Sequence, residues 1–115
     1  LRALLAGFSQ GAMMALSAGL RMADAPGALA GFSGGMPGLW SLPVELAARP
    51  TVLLVHGEDD EVVPPQVTRD TERALRALNV PVHALYRPGL GHGMDDESIG
   101  AFAALCADLV DAPRG

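Results

Sequence analysis

A serine stands at the centre of a glycine-flanked motif near the start of the chain. Gly7, Ser9 and Gly11 belong to a G-x-S-x-G sequence that lies between an apolar run and an apolar, helix-forming segment. In that context the motif is typical of a sharp strand-to-helix turn that holds the serine hydroxyl exposed in a strained conformation. Side chains at positions 7 and 11 are expected to collide in such a turn. Ser9 is therefore predicted to be a nucleophile, and the backbone N–H of Gln10 is predicted to face a developing oxyanion. The alternative is an ordinary turn built from small residues.

Two further segments offer an acid and a base. Four acids at positions 58–61 follow the strongest apolar run, where a carboxylate is well placed to orient an imidazole. The residues alone leave the choice among the four open, and a solvated acidic loop is the alternative. His92 lies between Gly91 and Gly93 on a loop that can bring its ring over a sheet edge, although a tight turn also explains these glycines. The order serine, acid, histidine is the chain order of α/β-hydrolases and favours the three assignments together.

The elements that must position these residues alternate along the chain. Short apolar runs predict strands, β-branched residues mark the third, and apolar positions at helical spacing predict helices. The predicted strands cover residues 1–8, 28–32, 51–56 and 81–86, and the predicted helices cover residues 10–22, residues 67–78 and a last segment opened by the acids at 95–97. Residues 33–43 have loop composition. This alternation predicts an α/β fold, with about four parallel strands joined by crossover helices. The candidate residues then meet at the carboxyl ends of the strands.

Composition excludes several classes of protein. The 115 residues suffice for one domain, and half of them are hydrophobic, so a buried core is available. A net charge of −5 and the lack of any Lys exclude the basic surface that nucleic acid needs. No apolar stretch of about 18 residues predicts a membrane span, and no signal peptide is visible, so we expect a cytoplasmic protein. The one cysteine, Cys106, allows no intrachain disulfide and is interpreted as an inert core thiol.

Three strings of residues carry a family resemblance. GFSQGAMMAL, HGEDDEVVP and GLGHG resemble the phospholipase/carboxylesterase group of α/β-hydrolases, which includes bacterial carboxylesterases and acyl-protein thioesterases. The resemblance implies that Ser9 is the nucleophile and His92 the base. The acid of the group is the fifth residue of an H-G-x-x-D-x-x-V-P pattern, which implies Asp60. A partial α/β-hydrolase-like three-layer sandwich is implied as well, with hydrolysis of a small-molecule or lipid-like acyl ester or thioester and no metal or cofactor.

The same resemblance implies that residues 1–115 are the C-terminal portion of a single α/β-hydrolase domain. In the group, a first half supplies further strands and an H-G-x-G-type loop with a second oxyanion donor. Without that half, the strand at residues 1–8 becomes an apolar edge, which predicts self-association into a homo-oligomer. Met36 and Trp40 lie in a region that borders the acyl pocket in the group, so a substrate contact is predicted for both. A tryptophan that caps the core is an equal alternative.

The function that follows is cleavage of carboxylic esters or thioesters through a Ser-Asp-His triad and an acyl-enzyme. One alternative is a truncated, catalytically inactive hydrolase fragment that acts as a self-associating module. Another is an acyltransferase or peptidase on the same triad, because acceptor choice depends on pocket loops. His56 is interpreted as structural, and Met13 and Met14 are interpreted as helix-packing residues.

Overall fold

Four parallel strands form one sheet in the computed structural model, which describes residues 3–24 and 26–111. The strands are β1 (Leu4–Phe8), β2 (Ala28–Phe32), β3 (Thr51–Gly57) and β4 (Val82–Arg87), and they lie side by side in that order. The prediction of about four parallel strands is confirmed. Leu1 and Arg2, which the prediction placed in the first strand, lie outside the described residues. The continuous apolar runs explain the central strands, since β2 is buried along its whole length and β3 along all but Thr51.

Helices cover both faces of the sheet. They are α1 (Gln10–Arg21), α2 (Leu42–Glu45), α3 (Pro65–Ala77) and α4 (Asp96–Asp111), with a 3-10 turn at Leu39–Ser41. Residues from α1, α2 and α3 pack with one set of alternating strand residues, and α4 packs with the other set. This gives three layers, as predicted. The sequence interpretation missed α2, whose first turn contains a proline that suits a helix start.

Helical spacing in the sequence predicts an apolar stripe on α4 that consists of Ile99, Phe102, Ala103, Cys106, Leu109 and Val110. This prediction is only partly correct. Phe102 and Leu109 pack toward the sheet beside the buried Leu105, which the prediction omitted. Ile99, which the prediction included, is 57% exposed. The helix meets the sheet along a line with spacings of three and four residues, and Ile99 lies off that line.

Strand β1 forms one edge of the sheet and pairs with β2. Its five residues are half-buried or exposed, whereas those of β2 are all buried. Among the described residues, none of the helices has the length and apolar character to cross a bilayer.

Candidate active site

The three predicted chemical residues lie at the same edge of the sheet. Ser9 follows β1, Asp60 lies in the loop after β3, and His92 lies in the loop after β4. The carboxyl ends of parallel strands meet at one edge, which is where α/β folds place their sites. The order of the strands therefore brings together residues that are far apart in the chain.

Ser9 occupies a strained turn between β1 and α1. Its φ of 58° and ψ of −117° lie in a region that residues other than glycine rarely adopt. The turn is fixed by the Ser9 N–H, which donates to the Phe32 carbonyl oxygen at 2.7 Å. A Cβ at Gly7 would lie 2.6 Å from the backbone nitrogen of Ala12 and closer still to the Gly11 carbonyl. The predicted collision is thus confirmed at position 7.

The collision predicted at position 11 is wrong. A Cβ built at Gly11 has no heavy atom within 4 Å. Gly11 is exposed in the first turn of α1, so a side chain at this position meets open space. The two glycines of the motif therefore differ in their surroundings. Position 7 has no space for a side chain, whereas position 11 has space for one.

The side chains of Ser9, His92 and Asp60 form a hydrogen-bonded chain. His92 Nε2 lies 3.0 Å from Ser9 Oγ, and His92 Nδ1 lies 2.8 Å from Asp60 Oδ2. The carboxylate requires a hydrogen on Nδ1, which leaves the lone pair of Nε2 to accept from the serine hydroxyl. The ring of Phe8 packs against the His92 ring with centroids 4.9 Å apart. Sequence reasoning missed this contact, although Phe8 precedes the serine directly.

Asp60 differs from the other acids of its loop by being buried. It is 6% exposed, whereas Glu58, Asp59 and Glu61 are exposed, in agreement with their interpretation as solvated loop acids. Glu58 forms an ion pair with Arg69 on α3.

The Asp60 carboxylate is kept charged by its hydrogen bonds. Its Oδ1 accepts from the backbone N–H groups of Val62 at 2.8 Å and Val63 at 2.9 Å. Burial by itself raises the pKa of Asp60. Hydrogen bonds from His92, Val63 and Val62 outweigh that effect and hold the pKa below its usual value. The carboxylate is therefore ionised at neutral pH.

A second imidazole also contacts Asp60. His56, the sixth residue of β3, is fully buried, and its Nε2 lies 3.2 Å from Asp60 Oδ2. The same nitrogen lies 2.7 Å from the Val63 carbonyl oxygen, and Nδ1 lies 2.6 Å from the Thr68 hydroxyl on α3. The interpretation of His56 as structural did not foresee contact with the acid. The spacing of four residues between His56 and Asp60 was the available signal.

The acid loop and the histidine loop are joined to each other. The N–H of Asp59 donates to the Leu90 carbonyl oxygen at 2.9 Å, and the N–H of Glu58 donates to the Arg87 carbonyl oxygen at 2.9 Å. A Cβ at Gly57 would overlap the backbone of Leu90. The close approach of these two loops fixes the separation of Asp60 from the base.

The residues predicted to contact substrate lie in different surroundings. Met36 is 3% exposed and packs in the core on the α1 and α3 side, with its N–H donating to the Thr71 hydroxyl. The Met36 side chain offers almost no surface in this structure, and its substrate contact stays a prediction. Trp40 is 88% exposed, so it does not cap the core, and its substrate contact stays a prediction.

Gln10 is the first residue of α1, and the oxyanion role of its N–H also stays a prediction. Met14 is 71% exposed, which corrects its interpretation as a packing residue.

A family model described as Phospholipase/Carboxylesterase matches residues 2–106. The chain belongs to this family. The predicted resemblance is confirmed.

Named relatives agree with this membership of the phospholipase/carboxylesterase family. An acyl-protein thioesterase 1 from Gibberella zeae is 31% identical over 114 residues, covering 90% of this chain and 46% of that protein. The crystal structure of esterase PE8 is 35% identical with a TM-score of 0.89, covering 92% of this chain and 49% of that one. SOBER1 from Arabidopsis thaliana, 23% identical, has a TM-score of 0.87 and covers 94% of this chain and 53% of its own. The likeness confirms a partial α/β-hydrolase fold, and the chain spans about half the length of these relatives.

Proposed function

We propose that this chain carries the nucleophile, base and acid of a serine hydrolase that cleaves carboxylic esters or thioesters. The observation that carries the proposal is the hydrogen-bonded chain from Ser9 Oγ through His92 to Asp60, with separations of 3.0 Å and 2.8 Å. The strained backbone of Ser9 at the start of a helix adds to it. Family membership and relatives named as a thioesterase and an esterase support the choice of substrate. The chain spans about half the length of these relatives, so the activity of the whole protein is itself something that we propose.

Acylation begins at the serine. Ser9 Oγ attacks the acyl carbonyl carbon while His92 Nε2 accepts the hydroxyl proton. Asp60 holds the tautomer of His92 and stabilises the imidazolium that forms. The carbonyl oxygen takes the negative charge, and the backbone N–H of Gln10 donates to it at the positive end of α1. The tetrahedral intermediate then expels the alcohol or thiol, which leaves with the proton from His92.

Deacylation repeats these steps with water. Water loses a proton to His92 Nε2 and attacks the carbonyl carbon of acyl-Ser9. The second tetrahedral intermediate breaks the bond to Ser9 Oγ, which recovers its proton from His92. The products are the free acid and the regenerated enzyme. These steps use side chains and backbone groups alone, and the expectation of no cofactor stays a prediction, as does the cytoplasmic location.

A second candidate function is favoured by the position of β1. As the edge strand of the sheet it carries half-buried apolar side chains, among them Leu4 and Leu5. Such an edge pairs readily with another strand. Self-association of the chain through β1 therefore stands beside the hydrolase proposal as its alternative.

Labelling with a fluorophosphonate probe tests the hydrolase proposal. We expect the wild-type chain to be labelled at Ser9, and the rate of labelling to fall by more than about a thousandfold in Ser9→Ala and His92→Ala. Ser41→Ala, on the half-buried 3-10 turn Leu39–Ser41, is the matched control and should label like the wild type. A folded wild-type sample that takes no label, or labelling that survives in Ser9→Ala, would contradict the proposal.

A further inference from the structure

The contacts of His56 place a second imidazole on the oxygen of Asp60 that binds His92. Asp60 Oδ2 lies 2.8 Å from His92 Nδ1 and 3.2 Å from His56 Nε2. The two rings approach this oxygen from different elements, β3 and the loop after β4. We propose that His56, oriented by Thr68, is a positioning residue that fixes the Asp60 carboxylate for its work on His92. The inference rests on the proposed function.

The partners of His56 determine where its hydrogen lies. The Val63 carbonyl oxygen can only accept, so the 2.7 Å contact with it requires a hydrogen on Nε2. With Nε2 protonated, the lone pair of Nδ1 accepts from the Thr68 hydroxyl at 2.6 Å. Nε2–H is therefore donated to the Val63 carbonyl oxygen, and Asp60 Oδ2 lies 3.2 Å from the same nitrogen. Thr68 is fully buried, so neither ring nitrogen depends on water for its partner.

Three hydrogen bonds hold the Asp60 carboxylate. The N–H groups of Val62 and Val63 donate to Oδ1, and His92 donates to Oδ2. His56 acts on this arrangement from two sides, because its Nε2 holds the Val63 carbonyl oxygen at 2.7 Å and lies 3.2 Å from Asp60 Oδ2. A buried carboxylate held in this way cannot rotate without breaking a hydrogen bond. By fixing Val63 and filling the space beside Oδ2, His56 resists rotation of the oxygen that orients the base.

The charged groups near the carboxylate fix the sign of the pH effect. His56 and His92 contact it, α3 contributes the uncharged Thr68 to His56, and Arg69 on α3 is paired with Glu58. The polar Nε2–H group of His56, 3.2 Å from Oδ2, stabilises the negative charge on that oxygen electrostatically. Its loss leaves a more basic oxygen facing His92, which stabilises the imidazolium form. The acid limb of Ser9 reactivity therefore moves to higher pH when the donor is removed.

Four variants separate positioning from packing. His56→Leu removes the donor, and His56→Gln keeps an amide N–H near the position of Nε2. Thr68→Val removes the hydroxyl that orients the ring. Thr71→Val is the matched control, because Thr71 is also fully buried on α3 and its hydroxyl bonds to Met36 N–H and the Val67 carbonyl, away from Asp60.

The measurement is the rate of fluorophosphonate labelling per folded molecule as a function of pH. We expect His56→Leu to lower the rate by about tenfold and to move the acid limb up by roughly half a pH unit, the scale of one lost hydrogen bond. Thr68→Val should change both in the same direction by about threefold and a smaller pH shift. His56→Gln should lie closer to the wild type, and Thr71→Val should lose stability with an unchanged pH profile.

The positioning role of His56 is refuted if Thr68→Val and His56→Leu keep the wild-type labelling rate and the wild-type acid limb of the pH profile, after correction for the folded fraction. If His56→Leu does not fold, Thr68→Val against Thr71→Val decides the matter alone. The proposed function fails separately, when the wild-type chain is not labelled at Ser9. A labelled wild type with unchanged Thr68→Val overturns the role of His56 and leaves the triad standing.

Discussion

The two glycines around Ser9 predict opposite effects for the same substitution. An added Cβ at Gly7 would overlap the backbone at the start of α1, which cannot rotate away as a side chain does. An overpacked site costs about 1–3 kcal/mol, and a clash with backbone lies at the upper end of that range. An added Cβ at Gly11 meets open space in the first turn of the same helix. There Ala is favoured over Gly by up to about 1 kcal/mol.

Urea denaturation of Gly7→Ala and Gly11→Ala measures this difference. We expect Gly7→Ala to lower the free energy of unfolding, Gly11→Ala to leave it unchanged or raise it, and the two to differ by about 2–4 kcal/mol. Relief of the clash at position 7 needs a backbone shift of about 1 Å next to Ser9, and a misplacement of that size costs about a hundredfold in rate. Folded Gly7→Ala should therefore label slowly with a fluorophosphonate. Equal stabilities for the two variants would refute the steric account of the turn.

Two further measurements address the start of α4 and the edge of the sheet. Asp95 accepts hydrogen bonds from the hydroxyl of Ser98, the guanidinium of Arg87 and the backbone N–H of Ser98, which lower its pKa from 3.8 to about 2. A lowered pKa of Asp95 adds stability above pH 3.8 that is lost as the pH falls through about 2. The melting temperature of the wild type should therefore fall more in that pH window than the melting temperature of Asp95→Asn. An equal pH dependence of the two melting temperatures would contradict this account. The proposed self-association through β1 predicts that the sedimentation coefficient rises with protein concentration in sedimentation velocity. A monomer at every concentration would count against it.

The strands, and the meeting of the candidate site residues at one sheet edge, were predictable from the sequence because strong local signals mark them. The continuous apolar run of β3 indicates burial on both faces, which predicts a strand inside a parallel sheet. Ser9 lies in a motif whose flanking segments define its turn, and His92 follows the last strand. The choice of Asp60 among four acids came from the family resemblance, and its burial distinguishes it from its exposed neighbours.

Features that depend on which faces meet were not predictable. Helices α1 and α4 are apolar on several sides, so periodicity does not indicate that Met14 and Ile99 are exposed. Met36 is buried because its loop folds back against Thr71 on α3, a contact 35 residues away in the chain. The contact of His56 with Asp60 depends on the turn at Val62 and Val63, which directs the carboxylate back toward β3.

The order of the strands divides the candidate triad between two parts of the sheet. The acid and the base follow β3 and β4, whose loops are hydrogen-bonded to each other, whereas the nucleophile follows β1 at the opposite edge. Edge strands open locally at a lower free energy than the strands inside a sheet. β4 is also an edge strand, but hydrogen bonds tie the loop that follows it to the loop after β3. Fraying of β1 therefore carries Ser9 away from the acid–base pair. We expect the nucleophile to be lost by local opening before the molecule unfolds as a whole.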